Sequence, residues 1–153
     1  MSDVAAKAGD GRAAGRLAQP ELFRPPLTYP EMPYGDLLAR AAALHPENEA
    51  IVFGDGSLTF REVEGLVNAC ARALRGLGIG KGDRVCLYMT NRPEYAVTFF
   101  ALARLGAVAS PMNPSYRERE VAYQIADSEA VAVVVQHDLL PVDLARAIEN
   151  AQR

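Results

Sequence analysis

From residue 36 onward, apolar positions recur first at helical and then at strand spacing, in an order that predicts a mixed α/β chain. In DLLARAAALH, Leu37, Leu38, Ala41 and Leu44 fall three and four apart behind Asp36, a capping residue, and Pro46 stops the run, so a short helix is expected. AIVFGDGSLTF reads as brief strands around Gly54-Asp55-Gly56-Ser57, residue types that tolerate positive φ, and predicts a hairpin. Thr59 and Glu62 then have capping-box spacing. Behind them Val63, Leu66, Val67, Cys70, Leu74 and Leu77 form one apolar stripe, with Arg61, Glu64, Asn68, Arg72 and Arg75 on the other faces.

That helix closes at Gly76 or Gly78, and a strand over 85–89 follows. Asn91-Arg92-Pro93-Glu94 predicts a second capped start, with Asn91 as cap and the proline in the first turn. The helix body YAVTFFALARLG is apolar nearly all round, as a helix covered by other layers should be, and Gly106 ends it. Residues 107–111 and 131–135 are short continuous apolar runs, expected for parallel strands covered on both faces, and 118–127 between them reads as a helix with Val121 and Ile125 inward. The predicted fold class is therefore α/β: a partial Rossmann-like parallel sheet, β-α-β-α-β with right-handed crossovers, an N-terminal hairpin and flanking helices. The last segment, VDLARAIENAQR, is helical in pattern, and no glycine, proline or polar tail marks an ending there.

Upstream the pattern is different. Residues 1–20, rich in Ala, Gly and basic side chains, carry no large apolar periodicity and predict a disordered tail. Residues 21–35 hold Pro25, Pro26, Pro30 and Pro33, which exclude a helix and predict an extended arm leading into a domain over 36–153. The chain's 153 residues suffice for one domain and not for two complete ones. With 16 basic against 19 acidic residues and no long run of either sign, the composition argues against nucleic acid and anionic lipid as partners. Cys70 and Cys86 make neither a disulfide framework nor a zinc site and read as reduced, buried thiols. No apolar run approaches the ~20 residues needed to span a bilayer, and the first residues lack a signal-like centre, which predicts a cytoplasmic protein.

Candidate chemistry is sparse. GLGIGKGDRV, residues 76–85, has glycines at alternate positions and Lys81 among them. A phosphate cradle follows a strand and opens a helix; here the order is reversed, and Gly82 stands where a P-loop needs Ser or Thr, so the stretch reads as a structural turn. Asn113 and Tyr116 sit at the carboxyl end of a predicted parallel strand, the edge where open α/β sheets bind ligands, although a proline-shaped turn with Tyr116 packed on the sheet accounts for them. His45 and His137 are isolated and read as surface residues. Asp127 with Glu129, and Glu118 with Glu120, are neighbours in sequence without an apolar setting and read as solvated helix ends. Tyr95, Phe99 and Phe100 could line an acyl pocket but are expected in the core.

From about Pro30 to Val135 the residues resemble the adenylate-forming (AMP-binding) enzymes, and within them the long- and medium-chain fatty-acyl-CoA ligases. LTFREV and LARLGAVASPMNP stand where that family has its first core motifs, and NPSYREREVAYQIADSEA is similar to the ligase branch. The resemblance implies the N-terminal subdomain of the adenylate-forming ligase fold. It implies ATP, magnesium and coenzyme A as cofactors of a complete enzyme that joins a carboxylic acid to AMP and passes the acyl group to the thiol. In some relatives the loop at Asn113–Tyr116 approaches coenzyme A. The family's Ser/Thr/Gly-rich phosphate loop with its lysine, its adenine and ribose contacts and its carboxy-terminal lysine have no counterpart here, Gly54–Thr59 being the nearest stretch and lacking the lysine. No catalytic, cofactor-binding or metal residue is therefore assigned, and no cofactor is expected on this chain.

The expectation is a truncated ligase, inactive alone and completed by the remainder of the enzyme or another subunit through an exposed sheet edge; the alternative is a standalone, non-catalytic binding or regulatory module. The resemblance also marks departures: Arg117-Glu118 in place of Thr-Pro removes a side-chain cap, and Glu129 replaces a glycine, which is strained if positive φ is needed there.

Overall fold

The computed structural model describes residues 31–136 and Arg146. Contacts divide the chain into Met1–Glu31 and Met32–Arg153, and all elements below belong to the second unit. The expected tail over 1–20, the arm as far as residue 30, His137 and the final helical segment apart from Arg146 lie outside the described residues.

A 3-10 turn at Tyr34–Asp36 leads into helix α1 (Leu37–Leu44). Asp36 does not cap it: its φ of -95° and ψ of -8° are already helical, whereas a capping side chain needs an extended backbone to reach forward. Strands β1 (Glu49–Phe53) and β2 (Gly56–Thr59) form the expected antiparallel hairpin, pairing Ile51 with Leu58, Val52 with Ser57 and Phe53 with Gly56.

Helix α2 (Phe60–Gly76) opens on the predicted capping box. The Glu62 amide donates to Thr59 Oγ1 at 3.3 Å, and the Thr59 amide donates to Glu62 Oε2 at 2.8 Å. Its buried face is Val63, Val67, Ala71 and Leu74, while Leu66 and Leu77 are 45% and 80% exposed, so the arc is turned away from the predicted stripe. The cause lies on the neighbouring helix, α3 (Pro93–Leu105), which packs on the small Ala71 side of α2 and covers Glu64 and Asn68 instead.

Strands β3 (Arg84–Tyr88), β4 (Val108–Pro111) and β5 (Ala132–Val135) make a parallel three-stranded sheet in the order β4-β3-β5. Side chains of β3 alternate between two clusters. Val85 and Leu87 pack with α1, α2 and α3; Cys86 and Tyr88 pack with Met112 and with Val121 and Ile125 of α4 (Glu118–Asp127). Only the central strand has the double cover expected of all three: β4 and β5 are half-exposed, with Val108 open to solvent.

The three longer helices close in the same way. After α2, the Gly78 amide donates to Arg75 O at 3.0 Å and Ile79 to Leu74 O at 3.0 Å; after α3, Gly106 donates to Ala103 O at 3.1 Å and Ala107 to Leu102 O at 3.0 Å. Both glycines have positive φ, 91° and 71°, as this closing motif requires. After α4 the same pair of bonds runs from Glu129 to Ala126 O and from Ala130 to Ile125 O, each 3.1 Å, and Glu129 stands in the left-handed position with φ 48°. The strain expected of that replacement is present.

Helix starts follow the sequence less closely. Asn91 is not the cap of α3; Arg92 is, with φ -135° and ψ 161°, because the residue before a proline is driven out of the helical region and the helix can begin only at Pro93. Arg117 precedes α4 without a side-chain cap, since a guanidinium has no acceptor to offer, and only the returning bond from the Arg117 amide to Glu120 Oε2 forms, at 3.0 Å.

Candidate functional site

Open parallel sheets bind ligands beyond the carboxyl ends of their strands, and here three segments meet at that edge. Thr90 follows β3, the loop of residues 112–117 follows β4, and Gln136 follows β5. Gln136 Oε1 accepts from the Thr90 amide at 3.0 Å and from Thr90 Oγ1 at 2.7 Å, which joins the exits of β3 and β5. Sequence reasoning passed over Gln136, whose role depends on a partner 46 residues away. A cleft of about 300 Å³ opens beside this pair, lined by Met89, Arg92, Glu94, Thr98, Val134 and Gln136 among others.

The Asn113–Tyr116 loop is held as a turn. The Ser115 amide donates to Asn113 Oδ1 at 2.9 Å and the Tyr116 amide to Asn113 O at 3.0 Å. From the floor of the sheet, the buried Tyr88 hydroxyl donates to Tyr116 O at 2.7 Å and contacts Pro114 O at 3.2 Å. Tyr116 packs on the cluster containing Tyr88 and Met112. Outside the loop, a groove of about 660 Å³ runs along α4 past Tyr116, Arg119, Tyr123 and Asp127, and Gln124 Nε2 bridges its base to Ser110 Oγ and Pro111 O.

The glycine-rich turn spends its amides internally. Gly80 donates to Asp83 Oδ2 at 2.7 Å, Gly82 to Gly106 O at 2.9 Å and Asp83 to Gly80 O at 3.2 Å, while Gly78 and Ile79 close α2. An anion cradle needs several amides aimed at one point from the start of a helix, and these point into the fold at a helix's end. Residues 77–83 form a turn that links α2 to β3.

The other candidates fall apart in space or are occupied. His45 is exposed at the end of α1, its amide bonded to Ala41 O at 2.8 Å. Glu129 pairs with Arg84 at 2.9 Å and Asp127 meets the Tyr123 hydroxyl at 3.5 Å. Glu120 is used at the start of α4. Among the described residues, no group of three or more His, Cys, Asp or Glu side chains could hold a metal ion. Tyr95, Phe99 and Phe100 are only half-buried: Tyr34 stacks on Phe100 and meets Phe99 edge-on, and Tyr95 stacks on Phe99. Cys70 and Cys86 are free; burial pushes the Cys70 thiol up, against a lowering contact from Thr98. No helix among the described residues is long and apolar enough to cross a membrane.

The strongest polar cluster was not legible as such. Arg104 of α3 makes paired bonds to Glu64, Nη1 to Oε1 at 2.8 Å and Nη2 to Oε2 at 2.9 Å, and Nη1 also reaches Asn68 Oδ1 at 2.6 Å. Nη2 contacts Gly35 O at 3.3 Å, which ties the turn before α1 to both helices. These groups bond to one another across α2, α3 and the turn before α1, so they serve the framework.

The sequence profile of the AMP-binding enzyme family matches residues 38–153. The long-chain-fatty-acid–CoA ligase FadD13 of Mycobacterium tuberculosis is 38% identical over 116 residues, which is 74% of this chain and 23% of that protein. The putative acyl-CoA synthetase YngI of Bacillus subtilis is 33% identical over 103 residues, covering 66% of this chain and 19% of the relative. Among solved structures, the N-terminal domain of FACL13 from Mycobacterium tuberculosis superposes with a TM-score of 0.69 at 37% identity, over 72% of this chain and 29% of that one. The chain thus spans about a fifth of the length of the curated relatives it matches.

Proposed function

Because the chain belongs to the AMP-binding enzyme family, we propose that it is the N-terminal framework of an ATP-dependent fatty-acyl-CoA ligase acting in the cytoplasm. The complete enzyme would use ATP and magnesium to activate a fatty acid as its adenylate and then pass the acyl group to coenzyme A. The observation that carries this reading is the 38% identity to a long-chain-fatty-acid–CoA ligase over 116 residues, together with the superposition on an N-terminal ligase domain. The glycine turn does not fit a phosphate, because its amides are bonded within the turn and to neighbouring elements, and this supports a framework role for these residues. Adenylyl transfer depends on neutralising charge on the phosphates, so the reacting groups belong to other parts of the ligase and these residues supply scaffold.

ATP–pyrophosphate exchange with magnesium and a long-chain fatty acid tests this. The 153-residue chain should give none, and the longer natural chain containing it should exchange. Exchange by the 153 residues alone would overturn the reading, as would a reading frame that closes after Arg153.

A further inference from the structure

The described residues include the aspartates Asp36, Asp55, Asp83 and Asp127, and all but Asp55 are held in place with the amide that follows them. Asp36 precedes Leu37, whose amide donates to Tyr34 O in the turn before α1. The Asp83 carboxylate accepts the Gly80 amide at 2.7 Å, and Arg84 after it begins the central strand. Asp127 ends α4, where its carboxylate meets the Tyr123 hydroxyl and the Ser128 amide donates to Gln124 O at 3.0 Å. Each of these is also followed by a residue with a side chain.

Asp55 differs on every count. It is the second turn residue between Phe53 and Gly56, behind Gly54, whose φ of 59° suits the first position of a short hairpin turn. Asp55 and Gly56 are exposed, and the Asp55 carboxylate has no hydrogen-bond or ion-pair partner among the described residues. Gly56 adds no bulk beside it, and a Cβ built there meets nothing nearer than Phe53 O at 3.8 Å. Phe53 and Gly56 form the last rung of a hairpin that is a two-stranded sheet by itself. Such a rung opens locally at little cost, and glycine then reaches backbone conformations closed to other residues.

We propose that the Asp55–Gly56 bond is a site of spontaneous covalent modification, where aspartate converts to isoaspartate through a cyclic imide. The Gly56 nitrogen attacks the side-chain carboxyl carbon of Asp55. A carbon–nitrogen bond forms, the carboxyl carbon–oxygen bond breaks, and the amide proton leaves with the hydroxyl as water. Water then adds back to the ring. Opening at the side-chain carbonyl restores aspartate; opening at the main-chain carbonyl routes the chain through the former side chain and frees the α-carboxylate. One water leaves and one returns, so mass is unchanged and no oxidant or reductant is needed. The converted chain is longer by a carbon between Phe53 and Gly56, and the turn no longer matches the twist of β1 and β2. The reaction needs only these residues and solvent, so it is independent of the activity of the ligase.

Peptide mapping over time, on the natural chain containing these residues held at neutral pH, provides the test. Trypsin releases residues 41–61 between Arg40 and Arg61, and Asp55 is the only aspartate in that peptide. A second form of the peptide, equal in mass, should accumulate, and an endoprotease that cuts beside aspartate should leave it whole. Asp55→Glu, which has to close a larger ring, should abolish the second form, and Gly56→Ala should slow its growth several-fold. The bonds after Asp83 and Asp127 should stay unchanged in the same samples. Absence of the second form overturns the proposal, as do its persistence in Asp55→Glu, equal growth in Gly56→Ala, or an equal rate of conversion after Asp127.

Discussion

The guanidinium of Arg84, at the start of β3, grips the end of α4 through Glu129: Nη2 lies 2.9 Å from the Glu129 carboxylate, and Nε donates to Ser128 O. Glu129 is also the non-glycine residue with positive φ among those described. The pairing is more than a surface contact because the same guanidinium satisfies a terminal carbonyl of the helix, where a positive charge is also favoured by the helix dipole. A strained residue is thus held by a charge supplied from the sheet.

Glu129→Gly should relieve about 1–2 kcal/mol of left-handed strain. It gives up an exposed pair worth about 0–1 kcal/mol and up to about 1 kcal/mol of unfolded-chain entropy. The net change for glycine is small and stabilising. Glu129→Ala keeps the strain and loses the pair, so glycine should exceed alanine by about 1 kcal/mol in urea unfolding. Equal stability of the two variants would limit the strain to no more than the unfolded-chain entropy that glycine adds, about 1 kcal/mol.

Local chemistry made much of this fold legible. Thr59 and Glu62 announce α2, Gly78 and Gly106 close their helices, and the unbroken VAVVV run announces a strand, though not how far it is covered, because each signal is complete within a few residues. What was misread depends on distant partners. Leu66 and Leu77 look like core and Glu64 and Asn68 like surface until Arg104, 40 residues from Glu64, turns the buried arc toward α3. The site was legible mainly by elimination: order of elements ruled out the glycine turn as a phosphate grip, whereas the Thr90–Gln136 link across strand exits has no local signature.

Gly35 should tolerate no side chain. A Cβ there would lie 2.7 Å from Arg104 Cα and 2.8 Å from Ala103 O, both backbone atoms that cannot rotate aside. Gly35→Ala should cost about 1–3 kcal/mol, seen as a lower urea midpoint. An unchanged midpoint would mean that the turn before α1 can lift from α3 freely.

The Arg104–Glu64 pair, with side chains 18% and 21% exposed, should behave as a coupled unit. Arg104→Met leaves the Glu64 carboxylate half-desolvated and should cost about 2–3 kcal/mol, somewhat under the loss for a fully buried pair. Glu64→Leu leaves the guanidinium in the same position. The double variant should recover most of the loss, with a coupling energy above about 1.5 kcal/mol. Additive single effects in the double-mutant cycle would show that the bidentate contact contributes little.

The capping box makes a pH signature. Backbone and side-chain hydrogen bonds from Thr59 hold the Glu62 carboxyl below its ordinary value of 4.5. A carboxylate lowered in the folded state contributes stability above its unfolded value, and that contribution is lost as pH falls through the folded one. Glu62→Gln keeps an acceptor but no charge, so it should be less stable than the native chain at neutral pH and should converge with it as pH drops below 4.5. Urea midpoints for both proteins across that range provide the measurement. A constant gap between the curves would assign the effect of Glu62 to its shape and hydrogen bond, with ionisation playing no part.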